Sequence, residues 1–451
     1  MPFADELRRV ATHGAHVMDQ FIGRRRLGDR IAVEPDEQPS WRANGTLPSD
    51  ESDLVFVQLP RDAWADPNAL ALSAAVLDGL RYILLCKGKA TRRVVVNISC
   101  AVYTGAHNGS ALLDAALEAL VGEQAVQGCE LQLFMPAGNS YASQWHAAGD
   151  LASGQSGRLK LRVPPGCESP TLLQIWVGAE AATVDWSVKS PGESFASPML
   201  GEVTLQHRAG RVHAMAQRSV STARGSLAGA STLLMLALEA AELPDLPGPG
   251  GDWEVTIEVQ NISRGSSVKV QAYVARNESH LGAPVRHRPA RLIDPSYDST
   301  KFLRERIKDD DKPAKPPLLR VLRQDTIAAT AIGAGVYAVA GLRLRPSPAA
   351  ADYSSSGVNL LGAAIADESN ASPGIRGAGS RSGCVLRLRG TSFASPQVAR
   401  VFADQPQRGT GGAAGGSKAA PGWVSELHEL FVLDPPAPTR VGAAVAIPRL
   451  K

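Results

Sequence analysis

A chain of 451 residues is longer than one ordinary domain, so two or three are expected. Apolar residues make up 44% and charged ones 20%, and the formal net charge is only +3, so no field favours nucleic acid or an anionic membrane surface. No apolar run reaches the roughly 18 residues of a membrane-crossing helix, the opening does not read as a signal peptide, and five scattered cysteines form neither a CxxC site nor a disulfide framework.

In chain order, Leu54–Leu59 reads as a buried strand and residues 67–85 as a helix. Arg93–Ser99 is a second apolar strand. Over Ser110–Val121 a helix places Leu112, Leu113, Ala116, Leu117, Leu120 and Val121 on one face. Leu131–Met135 is a third strand, ending in Pro136-Ala-Gly-Asn139. Strands spaced by helices of this length indicate βαβ units and a parallel sheet.

From Gly157 to about Asn277 the pattern becomes short alternating runs: 159–163, 172–177, 183–188, 202–207, 212–216, 253–260 and 268–274. Each is bounded by turn residues, as in an antiparallel sandwich. The run Lys308–Pro317, with its three aspartates, reads as a solvated loop rather than a cation site, because no ligand spacing accompanies it. The α/β character returns at Asp325, with Val336–Gly341 as a strand, and Gly409–Ser417 reads as a flexible linker. The expected division is 1–150 and 325–405 as two parts of one α/β domain, 151–290 as an inserted sandwich, 291–324 as a charged connector and 406–451 as a Gly-rich linker and tail.

The sharpest chemical signal is Arg389-Gly-Thr-Ser-Phe-Ala-Ser-Pro-Gln-Val-Ala-Arg400. Gly390 permits a close backbone approach, and Ser392 sits where a helix begins, beside free amide donors and a favourable dipole. Pro396 fits a first helical turn. A short Ser/Gly/Pro string is also an ordinary helix start, but this one resembles the serine-nucleophile motif GTSxAxPxVA of the subtilisin-like serine peptidases.

Further segments strengthen that resemblance. Thr12-His-Gly-Ala-His-Val17 is similar to the family's HGTH motif, with Ala15 where threonine is usual. A His-x-x-His pair also suits a metal, yet no third ligand follows at a fitting spacing. Met135-Pro-Ala-Gly-Asn139 resembles the oxyanion segment, Val96–Ser99 the strand lining the peptide cleft, and Tyr353–Gly357 the FSxxG loop before the serine helix. Gly251–Glu258 is similar to strands of accessory sandwiches in the family.

The resemblance implies a three-layer α/β/α subtilisin-like domain with a mainly parallel sheet, interrupted by an inserted antiparallel β-sandwich. It implies a serine endopeptidase in which Ser392 is the nucleophile, His13 the general base and then acid, and Asn139 an oxyanion donor. His16 would be structural. Ser99, Cys100, Ala101, Ala137 and Gly138 would bind substrate, and the partners would be proteins or peptides. No organic cofactor is implied; the resemblance allows a stabilising calcium ion, but no ligand set is legible here. Relatives are often exported, which leaves the localisation of this chain unassigned.

One departure is serious. Only twelve residues precede His13, and none reads as a strand, so the family's aspartate and its strand are expected to be missing, with Asp5 the nearest stand-in. Two other readings follow: an impaired pseudoenzyme that binds peptides in its cleft, or a binding module whose biology resides in the sandwich.

Overall fold

In the computed structural model the described residues are 13–23, 52–60, 63, 444–445 and 70–403, the last without 166, 168, 179–182, 192–202, 209–210, 223–229, 241–248, 264, 276–288, 298–317, 344–348, 358–359, 368–373 and 380–384. The chain is of the α/β class. It opens with helix α1 (His13–Ile22), an extended run over 53–60 and helix α2 (Leu70–Cys86), followed by β1 (Arg93–Asn97), α3 (Leu112–Val126) and β2 (Glu130–Pro136).

β1 and β2 pair in parallel, Val96 opposite Leu133. A strand with helices on both faces must be apolar on both, and β2 is. Leu131, Leu133 and Met135 join Leu113 and Leu117 of α3 in one core cluster, while Phe134 points to the other face. In α3, Asp114 three residues after the N-cap Ala111 lies in the first turn, where a carboxylate suits the helix dipole. Leu112, expected on the buried face, is exposed.

The expected strand at Leu54–Leu59 does not form. The run is extended and its alternate residues are half-buried, but among the described residues β1 pairs only with β2, so this run has no ladder. It lies instead against helices: Val57 and Leu59 pack where Gly79 of α2 lacks a side chain, and Phe56 lies beside Gly14 of α1.

After Asn139 the chain leaves the parallel sheet and builds β3 (His146–Ala152), β4 (Ser156–Val163), β5 (Thr171–Val177), β6 (Thr183–Lys189), β7 (Val203–Arg208), β8 (Arg211–Thr222), β9 (Ala230–Leu238), β10 (Gly251–Gln260), β11 (Ser267–Val274), β12 (Arg291–Ile293) and β13 (Arg320–Val321). These form a seven-stranded sheet, β13-β3-β11-β5-β9-β8-β7, and a four-stranded one, β12-β4-β10-β6, antiparallel throughout. Alternate residues of both, such as Leu161, Trp186 and Val255 against Ile175, Leu234 and Val270, share one core cluster. The antiparallel part therefore starts before residue 151 and takes in β12 and β13 from the stretch expected as a connector.

β5 is buried along almost its whole length, and Gln174 on it reaches the segment after β1. There Gln174 Oε1 accepts the Gly105 N–H at 2.8 Å.

The chain returns to the parallel sheet with β14 (Tyr337–Arg343), to which β15 (Ala349–Ala350) hooks antiparallel, then β16 (Leu360–Asp367). A hairpin of β17 (Ile375–Ala378) and β18 (Val385–Leu388) leads into helix α4 (Thr391–Ala403), and β19 (Ala444–Val445) completes the order β1-β2-β14-β16-β19. Small residues along β14 let α4 approach closely: Val339 and Phe134 pack with Ala394, Val398 and Phe402, and Phe21 of α1 joins them. Helix α3 thus packs on one face of β2 and α4 on the other, with α2 beside α3 and α1 against α4 and β17.

Candidate active site

In open parallel sheets, ligands sit beyond the carboxyl ends of the strands. Ser392 reaches that position from the first turn of α4, next to the ends of β1 and β2. Gly390, at φ +150°, adopts a backbone that side-chain-bearing residues rarely take, and its carbonyl accepts the Phe393 N–H at 3.0 Å to close the first turn. Helix geometry leaves the Ser392 N–H without an intrahelical acceptor.

Pro396 does not occupy the first turn, as its motif position predicts; it lies inside the helix, in the second turn. A residue there would normally donate its N–H to the Ser392 carbonyl, four positions back, and proline has none to give. That carbonyl is taken by a neighbour: Ser99 Oγ donates to Ser392 O at 2.7 Å. The donor is itself held, since Asn97 Nδ2 donates to Ser99 Oγ at 2.8 Å and Ser395 Oγ donates to Asn97 Oδ1 at 2.7 Å. A hydroxyl at the end of β1 thus repairs the gap that proline leaves under the nucleophile position.

Asn139 follows β2. Its Oδ1 accepts from the Thr391 N–H and from Thr391 Oγ1, both at 3.0 Å. A main-chain N–H can only donate, which fixes the orientation of the amide and turns Nδ2 towards Gly390. Thr391 Oγ1 also accepts the Gly138 N–H at 3.1 Å, tying the segment to α4. The Tyr353–Gly357 loop supports it from the other side: the Ser355 N–H donates to Gly138 O at 2.9 Å, and Ser355 Oγ accepts the Ser140 N–H at 3.0 Å.

The five expected substrate contacts divide. Ser99 and Ala101 are half-buried. Cys100, Ala137 and Gly138 are buried, with main-chain groups spent inside the protein: Cys100 N–H on Ile98 O, and both Ala137 groups on Val339 and Ala328. Burial also pushes the Cys100 thiol up to about 12, so it carries no charge near neutrality.

His13 is the first residue of α1 and is exposed, with its ring centroid 5.2 Å from that of Phe393, the residue after Ser392. His16, one turn later, is fully buried and meets the same ring edge-on at 4.6 Å. A Cβ on Gly377 would lie 2.5 Å from His16 Cε1, so the β17–β18 hairpin needs glycine to seat this imidazole. His13, Asn139 and Ser392 thus gather around one end of α4.

No protein-family model matches the chain, and no curated protein does. Among solved structures it is similar to a Clostridium perfringens CspB protease, at 19% identity and a TM-score of 0.49 over 74% of this chain. The chain spans 59% of that protein's length.

Residues 1–12, including Asp5, and the runs Lys308–Pro317 and Gly409–Ser417 lie outside the described residues. Among the described residues no group of three or more His, Cys, Asp or Glu could hold a metal, and no helix is long and apolar enough to cross a membrane. Sequence reasoning missed Asn97, Ser395 and Tyr103, whose Oη accepts the Asn139 N–H at 2.7 Å. Asn97 and Ser395 lie inside segments that the resemblance marks, but their bonds, like that of Tyr103, cross gaps that only folding closes.

Proposed function

We propose that the chain is a subtilisin-like serine endopeptidase: a three-layer α/β/α domain, interrupted by an inserted β-sandwich, that hydrolyses peptide bonds in proteins or peptides. The observation that carries the reading is the pinned Asn139 amide. Thr391 occupies its oxygen and leaves the two Nδ2 hydrogens beside the first turn of α4, where the Ser392 N–H is also unspent within the helix. Two converging donors at a nucleophile position are what a tetrahedral oxyanion requires.

In this reading Ser392 Oγ attacks the scissile carbonyl carbon while His13 takes its proton. The carbonyl oxygen becomes an oxyanion held by Asn139 Nδ2 and the Ser392 N–H. Collapse breaks the C–N bond, His13 protonates the departing amine, and an ester to Ser392 remains. Water, deprotonated by His13, then attacks that ester; the C–O bond to Ser392 breaks, His13 returns the proton to Oγ, and the acid is released. The buried His16 has a packing role.

Labelling with a fluorophosphonate probe and peptide mapping tests the assignment. Label on Ser392, lost in Ser392→Ala and slowed at least about a hundredfold in His13→Ala, is expected. Label on another serine with Ser392 untouched would remove the nucleophile from this reading.

A further inference from the structure

We infer that Tyr103 is a positioning residue for Asn139, and that it couples the antiparallel sheets to the oxyanion segment; the inference rests on the peptidase reading above. Tyr103 lies four residues beyond Ser99, in the segment after β1, and is 4% exposed. Its Oη accepts the Asn139 N–H at 2.7 Å, the shortest bond to that loop's main chain. The side chain crosses directly beneath Gly138: a Cβ there would lie 2.3 Å from Tyr103 Oη, and Gly138 sits at φ +106°. Glycine is therefore demanded twice, by conformation and by the phenol.

Asn139 is held at two points. Thr391 fixes the side-chain oxygen, and Tyr103 fixes the main-chain nitrogen from which that side chain departs. Gly138 and Ser140 on either side are tied to Thr391 and Ser355, so loss of the phenol leaves the loop in place and frees the Asn139 nitrogen, from which Nδ2 can shift away from the oxyanion position. An oxyanion donor works only when held in place before the charge develops.

The ring of Tyr103 is fixed in turn from the antiparallel part. Trp145, immediately before β3, packs edge-on at 5.5 Å, and its indole N–H donates to Ala290 O beside β12 at 3.0 Å. The Tyr103 carbonyl receives His107 Nε2 at 3.1 Å, and the His107 ring stacks on Tyr273 of β11 at 3.5 Å. Strands β3, β11 and β12 thus set the phenol that sets the loop.

The test is a double-mutant cycle on the full chain with a chromogenic peptide. Tyr103→Phe keeps the ring and removes the hydroxyl that accepts the Asn139 N–H. It should lower kcat about tenfold with KM unchanged, a smaller loss than the 10²–10³ that follows removal of an oxyanion donor outright. In the Asn139→Ala background the same change should cost less than about twofold, since the group it positions is gone. Amide exchange over 137–141, read on the same proteins without substrate, should speed about tenfold in Tyr103→Phe. Equal losses in both backgrounds, or unchanged exchange, would overturn the positioning role. A wild-type chain in which Ser392 never reacts with the probe, while exchange responds as stated, counts against the peptidase reading and not against the Tyr103–Asn139 clamp.

Discussion

Replacing Ser99 with alanine should disturb the nucleophile helix through a carbonyl rather than through substrate. The Ser99 hydroxyl is the donor that Pro396 cannot supply to Ser392 O, at 2.7 Å, and it also accepts from Asn97 Nδ2 at 2.8 Å. Its loss leaves a half-buried carbonyl and an amide hydrogen unmatched. An ordinary hydrogen bond contributes about 1 kcal/mol net, and stranding a buried polar partner costs roughly 1–3 kcal/mol, so Ser99→Ala should destabilise by about 2 kcal/mol. Urea titration followed by tryptophan fluorescence reads this directly. The decisive arm is Pro396→Ala, which restores a helical N–H four residues after Ser392. In that background Ser99→Ala should cost less than about 1 kcal/mol, because the carbonyl then has its helical donor. Equal costs in both backgrounds would refute the compensation between Pro396 and Ser99.

Two buried titrations give opposite slopes against pH. Asp114 is 2% exposed, and burial, opposed by the Ala111 amide and reinforced by Glu118, raises its carboxyl from 3.8 to about 6. The fold then binds this proton more tightly than the unfolded chain, so its contribution is complete below about pH 4 and is lost as pH rises to about 6. Asp114→Asn should accordingly stabilise by about 2–3 kcal/mol at pH 7 and by almost nothing at pH 4; an equal gain at both would exclude titration as the cause. His107 and His146 flank Tyr273, at 3.5 and 4.5 Å, and burial holds them down to about 3 and about 4. Their neutral forms belong to the fold, so stability present above about pH 6.5 is lost as pH falls towards 4. His146→Asn, which can still donate towards Gln324 O, should remove about 2–3 kcal/mol of the difference between pH 7 and pH 4.5; an unchanged difference would clear this imidazole.

What the sequence determined by itself is the part written in local pattern. The apolar runs of β2 and β14 and the alternation in β4, β6, β10 and β11 follow from which faces are covered, and an 11- or 7-residue window contains that information. His13, Asn139 and Ser392 were legible as types at fitting element ends. The rest depended on neighbours far away in the chain. Leu54–Leu59 has a strand's composition but no ladder, because a strand is a relation between two segments and composition describes only one. β3, with its Ala, Gly and His, looks nothing like a strand, yet β11 and β13 pair with it on both sides. Pro396 belongs inside a helix because Ser99, in a different element, replaces its missing donor. Ala137 and Gly138 are buried with their main-chain groups on Val339, Ala328, Ser355 and Thr391, far away in the chain, which no spacing rule reveals. Tyr103 is a further case: its role is a bond to the Asn139 N–H across 36 positions of chain, and a phenol without a local partner in sequence acquires meaning only where the fold supplies one.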